Sequence, residues 1–206
     1  MKRNKLVFGV GINDADYCQW GFEVVNGKRK LTWMCPIYIK WRDMLGRCYS
    51  PIRLKRYPTY IGCAVVEEWH IFSNFKAWVD TQDWENKDLD KDILIVGNKI
   101  YGPNTCVFVD KKVNYFMLER TASRGIWPMG VCFHKLMSLF MSQCKEVNTG
   151  KSRYLGCYNT PEEAHQAWLA FKLEQAYILA AEQKDERVAK ALIDRYENYG
   201  NLPKAA

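Results

Sequence analysis

Apolar residues recur with helical spacing after Pro36, where Tyr38, Trp41, Leu45 and Cys48 fall at i, i+3, i+7 and i+10 and the opposite face is basic. A second amphipathic stretch, EEWHIFSNFKAWV, sets Trp69, Phe72, Phe75 and Val79 on one stripe. Its first turn carries Glu67 and Glu68, where the helix dipole favours acids. Upstream, Asn26-Gly27 between EVV and KRKLTW predicts a tight hairpin. Downstream, three β-like runs, GVCFHK, LFMSQCKEV and SRYLGCY, follow one another, with Asn148-Thr149-Gly150 as the turn between the second and third.

The run Thr160-Pro161-Glu162-Glu163 then supplies an N-cap threonine, proline at the first helical position and glutamate at N3, a capping box. The helix it opens has Ala164, Trp168, Phe171 and Leu173 to Tyr177 as its apolar face. A last helix is expected near Asp185, with Val188, Leu192 and Tyr196 four apart. Ser, Gly and Pro break the pattern over residues 120–128, RTASRGIWP, which reads as a linker between modules at 1–119 and 129–206. The fold class is α+β, with a three-stranded antiparallel sheet packed on a helix in the second module.

At 206 residues, 48% hydrophobic and 14% aromatic, the chain is long and apolar enough for packed cores and is not a disordered sequence. Its 30 Lys and Arg against 23 Asp and Glu favour a polyanionic partner without naming one. The eight cysteines, at 18, 35, 48, 63, 106, 132, 144 and 157, include no Cys-x-x-Cys pair, so reduced, mostly buried thiols are expected and no structural zinc. No apolar window reaches membrane-spanning length, and the N-terminus lacks a signal-peptide core. A soluble, cytoplasmic protein is expected, with no membrane partner.

The chemistry-bearing stretch is LDKDILIVGNKIYGPNTCVFVDKKVN, residues 89–114. Extended backbone over residues 89–96 would send Asp90 and Asp92 to one side and Lys91 with Ile93 to the other. Paired carboxylates are hard ligands suited to magnesium, with manganese as the alternative, and such an ion activates water and stabilises a leaving oxygen in phosphodiester cleavage. Solvated acids at a strand edge are the plainer alternative.

Asp90-Lys91, Asn98, Tyr101, Pro103, the run Thr105 to Val109 and Asn114 resemble the ββα-metal core of phage HNH-type homing endonucleases. WRDMLGRCYS, PTYIGCAVVEEWHIFSNFKAWV and GNKIYGPNTCVFV resemble text shared within that group, and GVCFHK through Ala164 resembles the ethylene-response-factor (Apetala-two) type DNA-binding domain fused to such nucleases. The resemblance implies an HNH-like module in the first part of the chain. It implies a metal held by Asp90 and Asn114, catalytic roles for Asp90, Lys91, Asp92, Asn98, Thr105 and Asn114, and double-stranded DNA as partner. Two positions depart from the pattern: Lys91 stands where the general-base histidine is expected and Thr105 where the middle asparagine is expected. A free lysine would need to fall about three pH units, roughly 4 kcal/mol, to act as a base at neutral pH. Lys91 is therefore read as a phosphate clamp or charge stabiliser, with a surface salt bridge as the alternative.

For DNA contact, Lys40, Arg47, Arg53, Lys55 and Arg56 form a basic stripe with aromatic neighbours, against the alternative of a solvated helix face. In the C-terminal sheet, His134, Lys135, Gln143, Lys145, Lys151 and Arg153 are assigned to the face opposite the helix, where Gln143 reads adenine and Arg153 guanine. Met141 falls on the same face. The expected function is metal-dependent cutting or nicking of double-stranded DNA. The alternative is a phage protein that keeps the fold, binds DNA or a protein partner, and no longer cuts.

Overall fold

The computed structural model describes residues 6–118 and 126–200 and is of the α+β class. In chain order the elements are β1 (Trp20–Val25), β2 (Lys28–Met34), α1 (Pro36–Tyr49), α2 (Pro51–Arg56), β3 (Ala64–Val65), α3 (Phe72–Val79), β4 (Asp88–Asp90), β5 (Ile100–Tyr101) and β6 (Val107–Val109). After them come α4 (Lys111–Met117), β7 (Val131–His134), β8 (Leu139–Lys145), β9 (Ser152–Tyr158), α5 (Pro161–Ala181) and α6 (Glu186–Glu197). Two compact units divide between Val109 and Asp110. That boundary falls earlier in the chain than the expected linker. Residues 119–125, which hold most of that linker, lie outside the described residues.

In the first unit, the stripe expected after Pro36 is the buried face of α1, with Trp41 and Leu45 fully enclosed beside Phe72 and Phe75. The Trp41 indole donates to the Trp69 carbonyl at 2.7 Å, so its one polar atom is satisfied inside the core. Gly11 is held to glycine by the same packing, since a Cβ there would sit 2.5 Å from Leu45 Cδ1. The second amphipathic stretch is not one helix. A 3-10 turn over Glu67–His70 precedes α3, and between them Ile71 forms a bridge to Ile12. The four stripe residues are still all buried, because both pieces turn their apolar side to the same core.

The hairpin closes at Asn26 and Gly27, with φ of 51° and 73°, the positive values a two-residue turn of this kind requires. β3 pairs with β5 in parallel, while β4 pairs with β6 antiparallel through Leu89 and Phe108. Among the described residues all eight cysteines are free thiols. Cys35, Cys48, Cys63, Cys106 and Cys144 are buried.

In the second unit β7, β8 and β9 form an antiparallel sheet in that order, with α5 packed against it. The capping box at the start of α5 is complete: Thr160 Oγ1 accepts from the Glu163 amide and Glu163 accepts from the Thr160 amide, each at 3.2 Å. The buried face of α5 begins as expected at Ala164, Trp168 and Phe171. It continues through Gln175, Ala176, Leu179 and Ala180, leaving Leu173 half-buried and Tyr177 exposed. Helical rotation of 100° per residue carries the stripe there rather than along consecutive residues. Gln175 is a buried amide in this apolar face, and its Oε1 accepts from the Val147 amide just beyond β8 at 2.9 Å.

Asp185 caps α6 by accepting from the Arg187 amide, and Val188, Leu192 and Tyr196 are its buried side. Helix α4 belongs to this unit: the Phe116 carbonyl accepts from the Tyr196 hydroxyl at 3.1 Å and from Lys172 Nζ at 3.0 Å. Gly130, at φ 78°, lies so close to Trp168 that a Cβ would meet its Cδ1 at 1.9 Å.

Candidate functional site

Strand β4 stops at Asp90, so the extended backbone expected through residue 96 is not found. The side chain of Asp90 ends it. Oδ1 accepts from the amides of Asp92 at 2.8 Å and Ile93 at 2.9 Å, turning the chain out of the ladder. This bend brings Asp90, Lys91 and Asp92 into one loop, where strict alternation would have separated them.

Within that loop Lys91 is a strut. Only 7% exposed, it donates from Nζ to Asp92 Oδ2 at 3.0 Å and to the Asn98 carbonyl at 2.9 Å. Asn98 answers with Nδ2 on the Lys91 carbonyl at 2.6 Å and on the Ile100 carbonyl at 2.7 Å, while its Oδ1 takes the Ile100 amide at 3.1 Å. Burial pulls the Lys91 ammonium down, but the adjacent Asp92 carboxylate outweighs it and leaves the amine above its ordinary value. Lys91 is thus charged at neutral pH and no general base. The surface salt bridge weighed from sequence is instead a largely enclosed one on the lysine side.

Thr105 is similarly occupied, its hydroxyl donating to the Ile100 carbonyl at 2.7 Å. Asp90 behaves differently: burial first, and then the nearby Asp92 carboxylate, push its carboxyl up to about 6. Two adjacent carboxylates in a half-buried loop are a donor set whose chemistry fits a hard divalent cation. The other ligand implied by resemblance, Asn114, is half-buried on α4 in the second unit. Among the described residues no group of three or more His, Cys, Asp or Glu side chains is arranged to hold a metal ion.

The basic stripe is largely absorbed by its own unit. Lys40 donates to the Lys87 carbonyl and lies 5.4 Å from the Phe108 ring centre. Arg47 is half-buried, 5.7 Å from the Tyr60 ring centre; burial works against its charge, and the Tyr101 and Tyr60 hydroxyls more than restore it. Arg53 pairs with Asp43 at 2.8 Å and caps the Phe8 ring at 5.9 Å. Lys55 and Arg56 are exposed, as expected of phosphate contacts. The stripe therefore reduces to these two, because a helix that buries a wide aromatic face also draws the neighbouring cations over it.

On the sheet, residues opposite one another across a ladder share a face. Cys144 is packed toward Trp168 and Lys172 of α5, and Arg153 lies opposite Cys144. Arg153 is therefore on the helix side, 5.1 Å from the Phe171 ring centre and 3.5 Å from Glu146, which corrects its assignment to the outer face. A register shift between Ser142 and Gln143 makes Leu155 an extra residue in β9, so alternation counted along the sequence changes parity there. The outer face carries exposed Gln143, Lys145 and Tyr154, together with half-buried Met141 and His134. Lys135 and Lys151 are exposed in the flanking loops. His134 Nδ1 accepts the Met137 amide at 3.3 Å, tying the ring to the β7–β8 turn. Tyr154 was missed from sequence, although alternation from a helix-facing Leu155 points it to the outer face.

No family model, no curated protein and no solved structure matches the chain. Among the described residues no helix is long and apolar enough to cross a membrane.

Proposed function

We propose that the chain binds double-stranded DNA through the open face of the β7–β8–β9 sheet. The observation that carries this reading is the sheet's asymmetry: one face is closed by α5, while the other presents Gln143, Lys145 and Tyr154 to solvent. Exposed lysines bind phosphates irrespective of sequence, and an amide such as Gln143 pairs with an adenine edge. The net charge of +7 and the resemblance to the ethylene-response-factor type domain support the same partner. The test is duplex binding followed by anisotropy across a salt series, comparing the parent with Gln143→Ala and a Lys145→Ser, Lys151→Ser double variant. Equal affinity and equal salt dependence for all three would end this reading.

A second reading, metal-dependent nicking of the bound duplex, is favoured by the Asp90–Asp92 carboxylate pair gathered in one loop. Asp90 and Asp92 are the residues that would hold the ion, and a bound magnesium would supply Lewis-acid activation of water. Lys91, locked as a cation, would stabilise negative charge rather than move a proton. Supercoiled plasmid incubated with magnesium tests it. Nicking by the parent that Asp90→Ala abolishes supports cleavage, and an intact plasmid in both leaves the non-cutting alternative.

A further inference from the structure

We propose that the β1–β2 hairpin is a DNA-binding arm that enters a groove of the duplex and places Lys28, Arg29 and Lys30 on its phosphates. The proposal rests on the reading of the protein as a DNA binder and adds an element that the sheet reading does not use.

The hairpin is an unpartnered ribbon. Among the described residues each strand has the other as its only ladder neighbour, and side chains on both faces are exposed: Phe22 and Leu31 on one, Trp33 on the other, and Val24 at 71%. The base is fixed, with Trp20 edge-on to Tyr38 of α1 at 5.6 Å and the Cys35 amide bonded to the Gln19 carbonyl at 2.7 Å. The rest projects from that base. A two-stranded ribbon is the β element that the major groove admits.

Charge selects the occupant. From Trp20 to Met34 there are three cations and one acid, and the cations are consecutive just past the Asn26-Gly27 turn. Glu23 meets Lys30 at 3.5 Å with both side chains mainly in solvent, a pairing of little energetic weight. Arg29 lies 5.2 Å from the Phe22 ring centre, which holds its guanidinium out along the ribbon. A second copy of the chain is disfavoured as occupant, because the β2 edge carries Lys28, Arg29 and Lys30, and like charges along an edge oppose self-pairing. A lipid surface is disfavoured by the polar tip: the apolar side chains stand behind Asn26 and Gly27, so tip-first insertion would bury cations before any tryptophan.

The experiment uses the full chain. A mixed-sequence duplex is titrated over a salt series with the parent, a triple Lys28→Ser, Arg29→Ser, Lys30→Ser variant, and a Lys28→Arg, Lys30→Arg variant. Near-UV circular dichroism verifies that each is folded. Loss of three phosphate contacts lowers the magnitude of the log–log salt slope by about 2 to 3 in the triple variant, while the arginine variant keeps the parent slope. A folded triple variant with the parent's slope and affinity overturns the arm. Parent protein that binds no duplex overturns both the arm and the DNA-binding reading, whereas a slope change confined to the sheet variants overturns the arm alone. Unchanged DNA binding with lost adsorption to phosphatidylserine vesicles, or lost binding to an acidic protein such as ovalbumin, assigns the ribbon elsewhere and overturns it too.

Discussion

Lys91 and Asn98 hold each other twice: the Lys91 ammonium donates to the Asn98 carbonyl at 2.9 Å, and the Asn98 side-chain amide donates to the Lys91 carbonyl at 2.6 Å. Each bond of the pair runs from a side chain to a backbone carbonyl, so changing one residue removes one of them and leaves the other, together with the further bonds that side chain makes to Asp92 or to Ile100. Lys91→Met and Asn98→Ala are each expected to destabilise the fold by roughly 1–3 kcal/mol. In a double-mutant cycle by urea unfolding, the two losses should fall short of additive by about 0.5 kcal/mol or more. Strict additivity would show that the pair is not the element closing the loop.

Asp90 sets a pH dependence whose sign follows from its raised value. The fold disfavours the ionised carboxylate, so stability is greatest below the ordinary aspartate range near 4 and is lost as pH rises through about 6. Relative to Asp90→Asn, which keeps the acceptor for the Asp92 and Ile93 amides, the parent should lose up to roughly 3 kcal/mol between pH 4 and 7. Urea midpoints for the two proteins across that range measure it. Manganese that restores the parent at pH 7 and leaves the variant unchanged would support the metal reading.

Lys172 shows the opposite slope. Burial draws its amine down to about 8; Cys144 opposes this and Arg195 reinforces it, and the side chain lies 3.4 Å from the Phe116 ring centre. With the charged form penalised in the fold, stability should rise as pH climbs from about 8 toward the free-lysine value of 10.5. Lys172→Met should flatten that rise in the same unfolding assay.

Gly130→Ala should cost about 2–5 kcal/mol, combining the strain of a positive φ with the clash against Trp168. Adding Trp168→Leu should recover the steric part only, read as a partial return of the thermal midpoint.

On the sheet, Arg153→Ala is expected to destabilise the second unit by roughly 1 kcal/mol while leaving DNA affinity unchanged, because its guanidinium covers Phe171. Lys145→Ser should instead reduce the salt slope by about 1 at unchanged stability. Melting curves and anisotropy on the same preparations separate the two effects.

The elements that sequence periodicity marked are those whose signals are local. The Asn26-Gly27 turn, the α1 stripe and the capping box at Thr160 each depend on residues a few positions apart, and each is found. Signals that depend on partners distant in sequence were not legible. Arg53 looked available for phosphate until Asp43 took it, and Lys40 until the Lys87 carbonyl did. The error at Arg153 is of another kind: with Leu155 set on the helix side, simple alternation already places Arg153 there, where the structure has it. At the candidate site the Asp90 turn that gathers Asp90, Lys91 and Asp92 depends on side-chain to backbone bonds that alternation does not encode.

The buried Gln175 has a consequence for how α5 is seated. Apolar contacts alone would let a long helix slide along a sheet at small cost, since one leucine-sized hollow is much like the next. A lone amide that must find the Val147 N–H favours a single position, because a shift leaves the buried Gln175 side chain without its partner. Replacing it with leucine would leave the grip intact and remove the index mark, giving a helix equally well held in more than one place.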